Sequence, residues 1–148
     1  MKRLYPVQPV IGVGAIILRP GKILLLKRRN APAKGKWSIP GGVVEVGERL
    51  EDAVIRETKE ETCLDVEAPR LLDVVYQVDR DEAGKVKYHF VIIDYLVKVK
   101  NGDLEATSDA EAVRFVAFDE VENYDLTPSF RRFFKKNRKK LEKAGSGQ

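Results

Sequence analysis

The stretch 49–62, RLEDAVIRETKEET, sets the problem that any fold of this chain must solve. Its apolar residues Leu50, Ala53 and Val54, continued by Leu64, fall on one stripe at helical spacing, so the segment predicts an amphipathic helix packed by that side. At about 100° per residue, Glu57 and Glu61 lie within tens of degrees of Leu50 on the same stripe, with Glu60 one step aside. A helix that only filled space would carry Leu or Val there. Ionised carboxylates removed from water cost roughly several kcal/mol unless cations, protonation or a water-filled cleft compensate. Oxygen ligands without a His or Cys cluster suit a hard divalent ion, Mg²⁺ or Mn²⁺, which keeps waters and bridges to phosphate oxygens. A phosphate ester is the matching partner. The competing reading is a wet acidic face with Arg56 paired to Glu60 at i,i+4. The apolar stripe shared by Glu57 and Glu61 weighs against it.

The spacing around these acids resembles the signature of the Nudix hydrolases: Gly, five residues, Glu, seven residues, then Arg-Glu-aliphatic-x-Glu-Glu-x-Gly-aliphatic. Gly42, Glu48, Arg56, Glu57, Glu60, Glu61 and Leu64 occupy the matching positions. Two positions depart, with Thr58 where an aliphatic residue is usual and Cys63 where Gly is. Gly at a helix end closes the cap with positive φ, so Cys63 predicts a cap weakened by about 1 kcal/mol and no lost ligand. The likeness extends through 12–18, LLLKRRNAPAKGKWSIPGG, the strands between 71 and 99, and VRFVAFDEV, covering most of the chain.

The resemblance implies an α+β fold, an α/β/α sandwich with a mixed β-sheet, in a single domain over 1–148. It implies Glu57, Glu60 and Glu61 as metal ligands, with a backbone carbonyl at Gly41 or Gly42 completing the set. Arg56 and Glu48 are then residues that orient the carboxylates and support the loop. The implied activity is Mg²⁺-dependent hydrolysis, with Mn²⁺ a possible substitute, of a pyrophosphate bond in a nucleoside diphosphate linked to another moiety. The start YPVQPVIGVGAIIL and the strand YHFVIIDYLV look most like the ADP-ribose pyrophosphatase branch, which yields AMP and ribose 5-phosphate. The position where some members of that branch carry Pro is Arg80 here. Alternatives are a nucleoside triphosphate pyrophosphohydrolase of the mutator type, acting also on oxidised nucleotides, and a non-catalytic nucleotide-binding module. The intact acid set argues against the last.

Candidates for the general base are Glu57 and two acids before the strand at 113–117, Asp109 and Glu111, which alternatively contact substrate. Arg28, followed by Arg29, is placed to clamp phosphate with a planar fork of donors. Trp37, Tyr76, Tyr88, Phe90 and Phe115 include residues able to stack a nucleobase, each also suited to a core. His89, the only His, sits in a strand pattern that favours a packed role over a basic one.

Val-, Ile- and Tyr-rich runs predict strands at 10–18, 22–27, 71–78, 87–99 and 113–117, with hairpin turns at 19–21 and at DRDEAG. The Pro- and Gly-punctuated 28–42 reads as loop. A short helical turn is expected at 119–121, and Thr127-Pro128 reads as the cap and first residue of a last helix, about 128–143. With 43% hydrophobic residues the 148-residue chain has enough apolar content for one core. Its net charge of +4 is uneven: residues 130–148 hold eight Lys or Arg and one Glu, or +7, leaving about −3 for the rest. Phe130, Phe133, Phe134 and Leu141 recur at helical spacing, so this helix docks by its aromatic side with its basic face wet. An RNA partner is the sharper reading of that face, but no RNA-binding motif accompanies it. Residues 144–148 read as a frayed tail. One Cys, no signal-like segment and no long apolar run point to a cytoplasmic chain away from membranes, with a homodimer possible by resemblance.

Overall fold

The computed structural model describes residues 3–146. Strand β1 (Val10–Ile16) runs on through Ile17 into the short β2 (Leu18–Arg19), so one length of chain serves two sheets. In the first sheet β1 lies parallel to β7 (Val86–Asn101) and antiparallel to β5 (Gly41–Val43), while β6 (Asp65–Arg80) pairs antiparallel with β7 at the edge. This sheet is mixed, as expected. The second is antiparallel: β3 (Lys22–Arg28) pairs with β2, with β4 (Trp37–Ser38) and with β8 (Ala110–Ala117).

Both faces of this framework are covered, which is why the inner strands read as continuous apolar runs. Val13, Ala15, Ile17, Leu24, Tyr95 and Val97 form one core with Ala53 and Val54 of helix α1 (Leu50–Thr62). Ile16, Leu18, Ile23, Leu25 and Leu96 form the other with Phe130, Phe133, Phe134 and Leu141 of helix α3 (Pro128–Ser146), while α2 (Phe118–Val121) adds Phe118 and Val121. Alternation along each strand sorts the residues between the two helical layers. The Thr127 hydroxyl accepts the Phe130 N–H at 3.3 Å, capping α3 as its sequence predicts.

Several boundaries differ from the sequence reading. The segment 28–42 is not all loop, because β4 and β5 form within it. Strand β6 begins well before 71 and runs to Arg80, whereas β7 matches 87–99 to within one residue at its start and two at its end. The Pro69-containing polar start of β6 stays paired by taking register shifts between Glu67 and Arg70 and between Leu71 and Asp73, with Ala68 at φ 51°. Helix α3 continues past 143, so the frayed tail is corrected for 144–146. Gly145 is buried beside the Leu18 side chain and the Arg19 carbonyl. Residues 147–148 lie outside the described residues. No helix among the described residues is long and apolar enough to cross a membrane.

The basic face of α3 is partly spent on its own fold. Arg131 donates to the Glu122 and Tyr124 carbonyls, Lys136 pairs with Asp73, and Arg138 with Asp119 and Glu142. Asn137, fully inside, donates to Asp73 at 2.9 Å. Directly opposite Asp73 in the sheet sits Asp94, 2% exposed, whose Oδ1 has no hydrogen-bond partner among the described residues. Burial, then the neighbouring Asp73 charge, pushes Asp94 up to about 7.

Helix α1 ends as Cys63 predicts, in the left-handed region at φ 66°, its N–H bonded to the Lys59 carbonyl. A residue with a Cβ is strained there where Gly is not. Cys63→Gly should therefore raise stability by about 1 kcal/mol, a rise of a few °C in Tm by thermal unfolding. An unchanged or lower Tm contradicts the strain.

Candidate active site

The acid-bearing side of α1 faces the glycines of β5, held in place by the β1 pairs Gly14↔Gly41 and Val13↔Gly42. Both glycines are needed for closeness: a Cβ on Gly41 would overlap the Val13 carbonyl, and one on Gly42 would overlap the Glu57 carboxylate. The Gly41 N–H donates to Glu61 Oε1 at 2.7 Å. Helix and strand thus meet across backbone and carboxylates.

Arg56 organises the acids. Its Nε and Nη2 donate to the two Glu48 oxygens at 2.7 and 2.8 Å, its Nη1 to Glu57 at 2.7 Å and Glu60 at 3.2 Å, and its Nη2 also to the Val43 carbonyl at 3.2 Å. The planar fork suits this many acceptors. Its hydrogen bond holds Glu48 near about 2, and Glu48 in turn accepts the Glu45 N–H that shapes the turn before the helix. The same contacts, Glu48 first, raise the Arg56 guanidinium above its ordinary value. Thr58, in place of an aliphatic residue, is fully buried and satisfies its hydroxyl on the Val54 carbonyl at 2.7 Å.

The acids differ as their helical angles predict. Glu61 is 9% exposed, Glu57 half-buried and Glu60 open to water. Burial drives Glu61 up to about 8 against the Gly41 N–H, with the Glu57 charge adding to the rise. Burial also raises Glu57, with Arg56 opposing. Among the described residues no three His, Cys, Asp or Glu converge as a ready metal cage. The reason is geometric: Glu57 and Glu60 lean on Arg56, while Glu61 leans on Gly41. Chemically the donors still fit a hard cation. They are all oxygens, and Glu61 is a buried carboxyl whose charge a cation would compensate.

A cleft of about 380 Å³ opens in front of these acids. Glu57, Glu60 and Glu61, Gly41 and Gly42, Arg28, Arg29 and Asp109 all line it. Arg28 is largely withdrawn from water, which lowers its guanidinium, with Glu61 opposing, and its Nε donates to the Pro32 carbonyl at 2.7 Å. Glu111 does not line the cleft: its carboxylate lies 3.8 Å from Lys27 on β3. Arg56 and Glu48 stand behind the acids rather than in the cleft wall. Of the aromatic candidates only Phe90 reaches the cleft, stacked on Tyr88 at 6.1 Å between centroids. Trp37 is buried edge-on against Tyr124, Phe115 is covered by Arg19, and Tyr76 lies beneath Arg132. His89 is half-buried in β7 and lines no part of the cleft.

Sequence reasoning missed Arg3, Gln77 and Ile92 in this wall. Gln77 pairs with Phe90 across β6 and β7, and Val75 with Ile92, so period-2 alternation would place Gln77 beside Phe90 once the register is known. Arg3 has no such pattern.

A NUDIX domain profile matches residues 8–136. The chain belongs to the Nudix hydrolases. It is 44% identical over 113 residues to an ADP-ribose pyrophosphatase of Methanocaldococcus jannaschii, covering 76% of this chain and 64% of that protein. The match thus spans just under two thirds of that relative's length, and less of several others. Among solved structures, a MutT NUDIX hydrolase from Burkholderia pseudomallei superposes with a TM-score of 0.74 at 37% identity, covering 86% of this chain and 97% of that one. A MutT protein from Bacillus halodurans gives 0.72 at 27% identity, covering 85% and 80%.

The Glu61 carboxyl fixes a pH dependence of the metal-free Nudix domain. Its folded value, about 8, lies above the ordinary 4.5, so the folded chain holds this proton more tightly than the unfolded one. Its contribution is complete below the ordinary value and is lost as pH climbs through about 8. Denaturant unfolding in chelator from about pH 5 to about pH 9 should show falling stability, and Glu61→Gln should flatten the part that Asp94 does not cause. Equal slopes in both proteins contradict the assignment.

Proposed function

We propose that this Nudix hydrolase cleaves the pyrophosphate bond of a nucleoside diphosphate joined to another moiety, ADP-ribose to AMP and ribose 5-phosphate being the preferred substrate. The observation that carries the reading is the cleft that Glu57, Glu60 and Glu61 share with the guanidiniums of Arg28 and Arg29, joined to the 44% likeness to an ADP-ribose pyrophosphatase. Acids alone would repel a diphosphate, and arginines alone would bind it without activating water.

Glu57, Glu60 and Glu61, with the Gly41 carbonyl, would hold Mg²⁺ or Mn²⁺. When bound, such an ion neutralises phosphate oxygens and lowers the pKa of a coordinated water. Arg28, lining the same cleft, binds and orients the diphosphate. Asp109, at the cleft rim, and Glu57 are the acids placed to take the proton from attacking water. That water oxygen bonds to one phosphorus as the bridging P–O bond breaks, leaving two phosphomonoesters. Glu48 and Arg56 keep the carboxylates aimed and touch no substrate. A single thiol, Cys63, suits a reducing compartment, and we place the reaction in the cytoplasm.

A second reading is supported by the MutT likeness, which covers 97% of its solved relative: a nucleoside triphosphate cleaved to monophosphate and pyrophosphate. A rate panel with ADP-ribose, NADH, diadenosine polyphosphates and normal and oxidised nucleoside triphosphates separates the two. ADP-ribose should have the highest kcat/KM with Mg²⁺, and a triphosphate ranked first rejects the preference. In Glu60→Gln, kcat should fall by about a hundredfold or more, read as release of phosphomonoester product. Full turnover in that variant rejects the metal assignment.

A further inference from the structure

The segment before β1 has a defined course. Tyr5 adopts φ 48°, a conformation residues with a Cβ enter only when held there. What holds it is the β6–β7 turn. The Tyr5 N–H donates to the Lys87 carbonyl at 2.8 Å, its hydroxyl donates to Asp81 Oδ2 at 2.9 Å, and the Lys85 ammonium lies 5.0 Å from its ring centre. Asp81 also anchors its own turn, Oδ1 accepting the N–H groups of Ala83 and Lys85. The strap is therefore pinned to a rigid hairpin end more than seventy residues away in sequence.

Two residues before this pin, Arg3 lines the cleft together with Glu57, Gln77 and Phe90. Arg28 lines the same cleft, so Arg3 shares it with the acids and with a second guanidinium. Arg28 and Arg29 already spend donors on the Pro32 and Ala110 carbonyls. Among the described residues no hydrogen bond engages the exposed Arg3 guanidinium. Arg3 thus brings five N–H donors to a cleft that Arg28 and Arg29 also line.

We infer that Arg3 is a substrate-binding residue, a guanidinium that grips the pyrophosphate at the cleft mouth, and that Tyr5 is its positioning residue through the bond to Asp81. The inference rests on the pyrophosphate reading above. Binding occurs only while the strap is seated, because released chain would carry Arg3 away from the cleft.

Steady-state kinetics with ADP-ribose and calorimetry with inorganic pyrophosphate and Mg²⁺ test it on the full chain. Arg3→Ala should raise KM about tenfold with kcat within about twofold, and weaken pyrophosphate binding by a similar factor. Tyr5→Phe, which keeps the ring and removes the hydroxyl, should raise KM in the same direction by less. Added to Arg3→Ala it should do nothing further, since its effect runs through that guanidinium. Arg3→Lys should restore part of the affinity. Unchanged KM and pyrophosphate affinity in Arg3→Ala overturn the inference, as does an undiminished Tyr5→Phe effect in the Arg3→Ala background. If ADP-ribose is not a substrate, the pyrophosphate titration still decides the role of Arg3, so the two readings fail separately.

Discussion

One guanidinium holds together what the rest of the site requires. Arg56 sits on the first turns of an acid-rich face, and its donors reach Glu48 before the helix, Glu57 and Glu60 along it, and the Val43 carbonyl of the strand beside it. Without it three carboxylates would repel one another at the edge of a core, and the turn carrying Glu48 would lose its tether. With it the helix can present acids inward at lower cost, because each of Glu48, Glu57 and Glu60 accepts a charge-assisted bond from one guanidinium. The same pairing leaves Glu61 outside its reach. Among the described residues that carboxyl accepts only the Gly41 N–H, and burial holds its value raised.

The fold serves this arrangement by fixing two distances. Parallel pairing of β1 with β7 and antiparallel pairing with β5 bring bare glycine backbone against the helix, so carboxylates and carbonyls approach without side chains between them. The long β6–β7 hairpin does a second job. Its inner pairs supply Gln77, Phe90 and Ile92 to the cleft, while its turn pins the strap that carries Arg3. Docking of α3 through Phe130, Phe133 and Phe134 stiffens the opposite face, and several of its basic residues are engaged in that docking.

Much of this was legible in the sequence because the informative signals are local. Helical period alone separated buried Glu61 from exposed Glu60, and the αL strain at Cys63 followed from the position of one missing Gly. The aromatic stripe of α3 likewise announced its docking side. What escaped depended on register and long closure. Glu111 and Asp109 look equivalent in ATSDAEAVRF, yet only Asp109 stays on the rim, since Glu111 falls within β8 and turns to Lys27. Arg3 became part of the site through a Tyr5–Asp81 contact that no periodicity encodes. Strands β4 and β5 are too short to carry a pattern, and pairing with neighbours creates them.

The central claim is that acids on the inward side of α1 await a divalent cation. Its most direct measurement is calorimetric titration of Mg²⁺ or Mn²⁺ into metal-free protein near pH 7.5, repeated in buffers of different ionisation enthalpy. Because Glu61 is held near about 8, binding should expel a fraction of a proton and the apparent heat should change with buffer. Glu61→Gln should lose that buffer dependence. Failure of either ion to bind, or a heat indifferent to buffer in the unsubstituted chain, would contradict the account.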